Sequence, residues 1–400
     1  MSTIQKAIQS AAAIRLRQRL QPEGGAGDKV FPPTFNGGVY CWETRRMGDA
    51  TVQCVLLDSV AAQANRLEEA LSGAVADGLK LPELRVDFSK DYPELGQIGV
   101  LSAPHRVFDA IIRDTLIDGK VFGKSTLYVK LAAANIRNAN ALMEHAPTAL
   151  LFGCWDSTGA AGGLGNKFAR ALTSEMIGVH ASFGETQGGV RTDPLGILKE
   201  ASVTSKESLA WEVAGKSATK AVRPSEINHG NILVSNDPVK ASLMVNGTQV
   251  TETHTTRGGV TIDHALQISV LSINALRRLR FPNSDGTANT ERDNAARRVL
   301  AALGVLALTL GREQGYWLRS RCGLVAEGLA DFELVHADGR IEAFHMDSKS
   351  ARAEFDAAVA DAKKAGLAWN EVPTMLTPQP KLIELIKKSR DIQALGKAEA

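Results

Sequence analysis

The residues best placed to do chemistry lie in the glycine-rich stretch DSTGAAGGLGNK (Asp156–Lys167) and in arginines scattered around it. Glycines let a backbone approach phosphate oxygens closely, and a helix N-terminus behind such a loop attracts anions. The stretch lacks the GK[ST] ending of a Walker loop, and its glycines do not fit GxGxxG, which leaves a nucleotide-dependent enzyme as a remote reading. Two others are open. One is a loop running close to an RNA backbone, with Gly162, Gly163, Gly165, Asn166, Lys167 and Arg170 against the phosphates; the other is a tight strand–helix turn. Arg45, Arg46, Arg66, Arg106, Arg113, Arg191, Arg257, Arg277, Arg278 and Arg280 fall on helix faces, loops and strand ends. Each alone reads as a solvated charge. Together, beside a glycine loop, they suit a channel that tracks a phosphate backbone.

Asp58 directly follows an apolar run and could be a catalytic acid, but a lone carboxylate at a helix start more commonly caps it. His105 and His180 read as structural histidines, and no GxSxG or other nucleophile motif is present. Cys41, Cys54, Cys154 and Cys322 are far apart with no CxxC pair, and the eight histidines are scattered. These spacings argue against a metal site and a disulfide framework, and point to reduced thiols in a cytoplasm. No catalytic constellation, cofactor or metal is expected.

The elements that must position these residues alternate irregularly. Thr51–Leu57 reads as a buried strand, followed by a helix whose stripe is Val60, Ala64, Leu67 and Leu71. Further helices are expected over His105–Ile117, with Arg106, Asp109 and Arg113 on one face, and over Val129–His145. Thr148–Trp155 reads as a strand before the glycine stretch, and Met176–Gly184 alternates as another. Gly184–Arg257 is rich in Gly, Ser, Thr and Asn and suggests hairpins and long loops. Ile262–Arg280 looks helical, Thr290–Leu310 is a helix opened by a capping-box-like TERD, and Tyr316–Val325 is a strand with Arg319 and Arg321 on one face. Helices over Ser348–Gly366 and Lys381–Leu395 close the chain. The pattern suits an α+β fold with a ferredoxin-like core and insertions rather than a doubly wound sheet.

At 400 residues the chain is long enough for two or three domains or one elaborated domain, and 44% hydrophobic residues supply a sizeable core. A net charge of +2 is neutral on function, because binding responds to the local field rather than the total. Met1–Pro22 has no acidic residue and carries Lys6, Arg15, Arg17 and Arg19, which superficially resembles a transit peptide; it is read as a basic N-terminal arm. Glu23–Pro33 is its Gly/Pro-punctuated linker. Val299–Leu310 is too short for a bilayer, which needs about 20 residues, and is read as a buried core helix.

Several blocks are less generic: FPPTF (Phe31–Phe35), VLLDSVAAQANRLEEAL (Val55–Leu71), PHRVFDAIIRD (Pro104–Asp114), LLFGCWDSTGAAGGLGNKFARAL (Leu150–Leu172), RPSEINHGNI (Arg223–Ile232) and LRSRCGLV (Leu318–Val325). In residues and in order they resemble the backbone subunit of the type I-G (formerly I-U) CRISPR system, over most of Phe31–Val325. The resemblance implies a RAMP-superfamily fold, an RRM-like palm with finger and thumb insertions. On that basis residues 1–33 form the arm and linker, 34–330 the palm with thumb insertions within 184–261, and 331–400 a C-terminal helical extension. It also implies a non-catalytic subunit that polymerises along a CRISPR guide RNA and presents it to target DNA in antiviral defence. Its partners would be neighbouring copies and other Cascade subunits, the large subunit and the guide-processing subunit, with no membrane contact. The aromatic RNP1 pattern of a standard RRM is absent, which favours phosphate and 2′-hydroxyl contacts over stacking on the sheet. The alternative is a type III-like backbone subunit that cleaves target RNA with Asp58.

Overall fold

The structure is a computed structural model describing residues 2–35, 38–156, 167–184, 190–206, 211–215, 221–230, 232–233, 239–245, 248–254 and 258–394. Gly162, Gly163, Gly165, Asn166 and Arg257 lie outside the described residues. The chain divides into two compact units, one of residues 1–33, 42–181 and 262–382, the other of 34–41, 182–261 and 383–400.

The first unit mixes helices with antiparallel sheet. Among the described residues its main sheet has nine strands: β1 (Ala11–Pro22), β2 (Trp42–Met47), β3 (Ala50–Asp58), β4 (Leu172–Val179), β5 (His264–Ser272), β6 (Tyr316–Arg319), β7 (Cys322–Ala326), β8 (Phe332–His336) and β9 (Ile341–Phe344). Their order is β6-β7-β1-β5-β4-β3-β2; β8 also pairs β1 and carries β9 at its far side. All these pairings are antiparallel.

Residues 1–33 are therefore not an arm. Thr3–Ser10 forms α1, and the basic run beyond it is the central strand β1. Its alternation explains this: Ile14, Leu16, Gln18 and Leu20 are buried on one face, while Arg15, Arg17 and Arg19 point to the other. Arg15 pairs with Glu333 and Arg19 with Glu327, whereas Arg17 is exposed with no partner among the described residues.

Helices α2 (Val60–Ala76) and α3 (Thr290–Glu313) cover the Leu16 side of the sheet. Gln63 of α2 accepts from Ser174 of β4 and Gln267 of β5, and Leu271 of β5 packs closely on α3 at Gly304. A Cβ at Gly304 would lie 3.0 Å from Leu271. Val299–Leu308 is buried throughout, so α3 is the core helix expected, although its 24 residues are long and apolar enough to cross a membrane. On the second face, Val52, Cys54, Ile177, Val179 and Leu266 form a buried cluster.

Several elements differ from expectation. Ile262–Arg280 is β5 followed by a short helix, Ile273–Arg277, because Gln267 and Ser269 occur at strand spacing and face the buried side. Thr148–Phe152 is helical, and the chain turns at Gly153 into a two-residue strand, Cys154–Trp155. His105–Ile117 breaks into a 3-10 turn (Arg106–Phe108), a short helix (Ala110–Arg113) and a strand (Thr115–Ile117), so Arg106, Asp109 and Arg113 share no helix face. The predicted Val129–His145 helix is two helices, Thr126–Ala133 and Asn140–His145. Tyr316–Val325 is the hairpin β6–β7, with Arg321 at its turn at φ 57°. Residues 331–400 are not only helical: β8 and β9 join the main sheet, and Thr374–Pro378 pairs in parallel with Leu84–Asp87 in a second sheet.

In the second unit the hairpin Val239–Val245/Thr248–His254 is fully paired, and Ser182–Phe183 pairs with Val260–Thr261.

If β1 is central, Leu16→Ala should lower unfolding stability by about 2–5 kcal/mol in chemical denaturation, and Arg17→Ala should change it by less than about 0.5 kcal/mol. A detachable arm would make both substitutions neutral.

Candidate nucleic-acid interface

Only part of the predicted basic set comes together. Cys154–Trp155 pairs antiparallel with Lys167–Phe168, placing Trp155 opposite Lys167. The Lys167 ammonium lies 5.2 Å from the centroid of the Trp155 ring. This ladder walls a groove shared with His105, Arg106, Phe152 and Arg170. Lys167 and Arg170 are exposed, and Arg170 has no hydrogen-bonding partner among the described residues. Two cations and an exposed indole thus meet where the chain enters and leaves the glycine-rich stretch.

Local backbone chemistry sets this geometry. Gly153 has φ 81° and ψ 154°, a conformation nearly restricted to glycine. A Cβ there would meet the Phe168 carbonyl oxygen at 2.9 Å and the Arg170 nitrogen at 3.1 Å, so glycine lets the two ladder strands close. Asp156, at the start of the glycine stretch, is buried and accepts from the Tyr128 hydroxyl at 3.2 Å.

Arg106 underpins the ladder rather than facing a ligand. It is 7% exposed and makes a two-point bond to Glu68 of α2, at 2.6 and 2.7 Å. Its guanidinium also donates to the Gly153 carbonyl at 3.3 Å and lies 5.7 Å from the Phe152 ring centroid. Burial pushes the Glu68 carboxyl up, against the lowering effect of the Arg106 bonds. Burial also pushes the Cys154 thiol up to about 12, leaving it an uncharged packing group.

The other predicted arginines are placed elsewhere. Arg66 donates to Asp58 at 2.9 Å and to the Leu318 carbonyl at 2.7 Å. Arg45 sits between Glu43 and Glu175, and the Glu175 hydrogen bond, foremost, raises it above its usual range. Arg46 is exposed on edge strand β2. Arg113 pairs with Asp114 at 3.1 Å and lies within electrostatic reach of Asp156. Arg277 donates to the carbonyls of Ala7 and Ile8 and so caps the C-terminal end of α1, a favourable place for a cation. Arg278 is exposed, and Arg191 lies on a short strand, Val190–Arg191, of the second unit.

Asp58 is neither a helix cap nor an open carboxylate. Ser59 caps α2 through the Ala62 amide. Asp58 is 1% exposed: one oxygen accepts from Gln63 at 2.7 Å and Arg66 at 2.9 Å, the other from Arg319 at 3.3 Å. Arg319 also donates to the Leu57 carbonyl at 2.8 Å, tying hairpin β6–β7 to β3. A carboxylate holding two arginines and an amide, with a partner on each oxygen, is a structural anchor.

Trp155, as a lone tryptophan, carries no spacing signal in the sequence; its place beside a glycine-rich stretch is its one cue.

Glu68→Ala should cost about 3–5 kcal/mol, because it leaves Arg106 buried and unpaired. Asp58→Ala should cost less, about 2 kcal/mol, since Arg66 and Arg319 are 34% and 28% exposed and water can reach them. Urea unfolding of both variants checks the ranking; an Asp58→Ala chain as stable as the parent would remove its structural role.

Comparison with known proteins places residues 14–183 in register with a family model described as CRISPR-associated protein GSU0053. That stretch covers most of β1, all of β2 to β4 and the Trp155–Lys167 ladder. No curated protein matches. Among solved structures, the chain is similar to Csc2 of Thermofilum pendens, at 11% identity over 99% of this chain and 81% of that one. The TM-score of 0.26 is too low for that likeness to support a fold assignment.

Proposed function

We propose that this chain is the guide-holding backbone subunit of a type I-G CRISPR surveillance complex. Several copies line up along one CRISPR RNA in the cytoplasm and present it for pairing with target DNA, beside a large subunit and a guide-processing subunit. The observation that carries this reading is the match of residues 14–183 to a CRISPR-associated family. Four of the blocks that resemble the type I-G backbone subunit, Phe31–Phe35, Val55–Leu71, Pro104–Asp114 and Leu150–Leu172, fall inside that stretch.

The topology supports it. Strand order β7-β1-β5-β4, with α2 preceding β4 in the chain and α3 crossing from β5 to the β6–β7 hairpin, is compatible with a ferredoxin-like, RRM-like palm. The β2–β3 hairpin extends that palm at one edge. The hairpin Val239–Val245/Thr248–His254 suits a thumb inserted between β4 and β5.

The chemistry supports a holder rather than a nuclease. Asp58, the carboxylate that target-RNA cleavage would need, is committed to Arg66, Gln63 and Arg319. Lys167 and Arg170 offer point charges that a phosphate could take whatever base it carries. Base pairing then reads the sequence, and the protein reads backbone and shape.

Replacing both Lys167 and Arg170 with Glu should reduce the CRISPR RNA retained by the purified assembly without lowering its melting temperature. Loss of two single-strand phosphate contacts should also flatten the plot of log affinity against log salt by about 1.4. Unchanged RNA occupancy would remove this groove from the interface.

A further inference from the structure

We infer that Trp155 is a stacking platform for one unpaired nucleobase of the bound strand, in the groove whose phosphate contacts are Lys167 and Arg170. This rests on the RNA-binding reading of the groove and adds a base contact to it. Trp155 is 45% exposed, while the residues around it, Phe152, Cys154 and Phe168, are 1%, 8% and 6% exposed. Its indole therefore stands out from a packed wall into the groove. Exposed tryptophans need no special explanation in general; three features set this one apart.

The first is rigidity. The ladder register Trp155↔Lys167, the close approach at Gly153 and the buried Arg106–Glu68 pair beneath fix the backbone that carries the ring. A preorganised ring loses little freedom on binding. The second is the cation over one of its faces. The Lys167 ammonium sits over the ring, 5.2 Å from its centroid, so a phosphate-seeking charge covers one face and a base stacks on the other. The third is Arg170, exposed on the same groove and without a hydrogen-bonding partner among the described residues. An aromatic ring and two cations lining one groove suit the base and phosphate of a single strand. A duplex would keep its bases inside.

Because every base has a π-face, the contact holds any letter and fits a protein that leaves sequence to pairing. Stacking and charge also differ in salt response, since only phosphate contacts release counterions.

The test uses the full-length chain with single-stranded poly(A) and poly(U) oligonucleotides of equal length, at several salt concentrations. Trp155→Ala should weaken binding roughly five- to hundred-fold, as losing one base–aromatic stack does, with an unchanged salt slope. Trp155→Phe should keep most of the affinity, and Lys167→Ala should flatten the slope. RNA should quench parent fluorescence more than Trp155→Phe fluorescence. If Trp155→Ala binds like the parent, or Trp155→Phe loses as much as Trp155→Ala, the stacking role is wrong and the RNA-binding reading stands. If the parent chain binds neither oligonucleotide, both readings fall together.

Discussion

Helix α2 meets two buried charges with side chains two residues apart, and most of the first unit hangs on that arrangement. At 100° per residue, positions 66 and 68 point to nearly opposite sides of a helix. Arg66 turns toward Asp58 and the carbonyls of β6, and Glu68 turns toward Arg106 and the Gly153 bend. One side locks hairpin β6–β7 to the end of β3; the other supports the ladder bearing Trp155 and Lys167. Between them, Gln63 joins Asp58 to Ser174 and Gln267 on the covered face of the sheet. Charges this deeply buried are costly unless paired, so the network tolerates few alternative packings. Its value is a defined geometry more than raw stability.

How much of this was legible in the sequence depended on the range of the interaction. Local signals carried through: α2 starts after Asp58 on a serine cap, α3 is the buried helix its apolar run implied, and the C-terminal helices lie close to where amphipathic spacing put them. The largest miss was the N-terminal run IRLRQRL, where arginine content drew attention from a period of two. Its apolar residues Ile14, Leu16 and Leu20 alternate with Arg15, Arg17 and Arg19, which is what a strand with one buried face requires. The 262–280 stretch failed for a related reason. Gln267 and Ser269 look like the polar side of a helix until their partners Gln63 and Ser174 are known.

The arginines illustrate the same limit for the site. A guanidinium in sequence is only a potential charge, and its use depends on a carboxylate that is remote along the chain. Glu68 is 38 residues from Arg106, and Glu175 is 130 from Arg45. Once those pairs form, Arg45, Arg66, Arg106 and Arg277 are engaged internally. Lys167, Arg170 and Arg278 remain exposed, and Arg17, overlooked as part of an arm, joins them.

That division also accounts for a net charge of only +2 in a chain read as an RNA holder. A strongly basic surface would attract any polyanion and slide along it, because nonspecific affinity grows with each phosphate neutralised. Pairing Arg45, Arg66 and Arg106 internally and leaving Lys167 and Arg170 exposed at a rigid groove keeps the field there local. A backbone subunit that must hold one strand, in one register, gains from few contacts in fixed positions more than from many loose ones. On the proposed reading, the charges buried around α2 stiffen the groove wall, and the exposed charges beside Trp155 are the few that it presents to a strand.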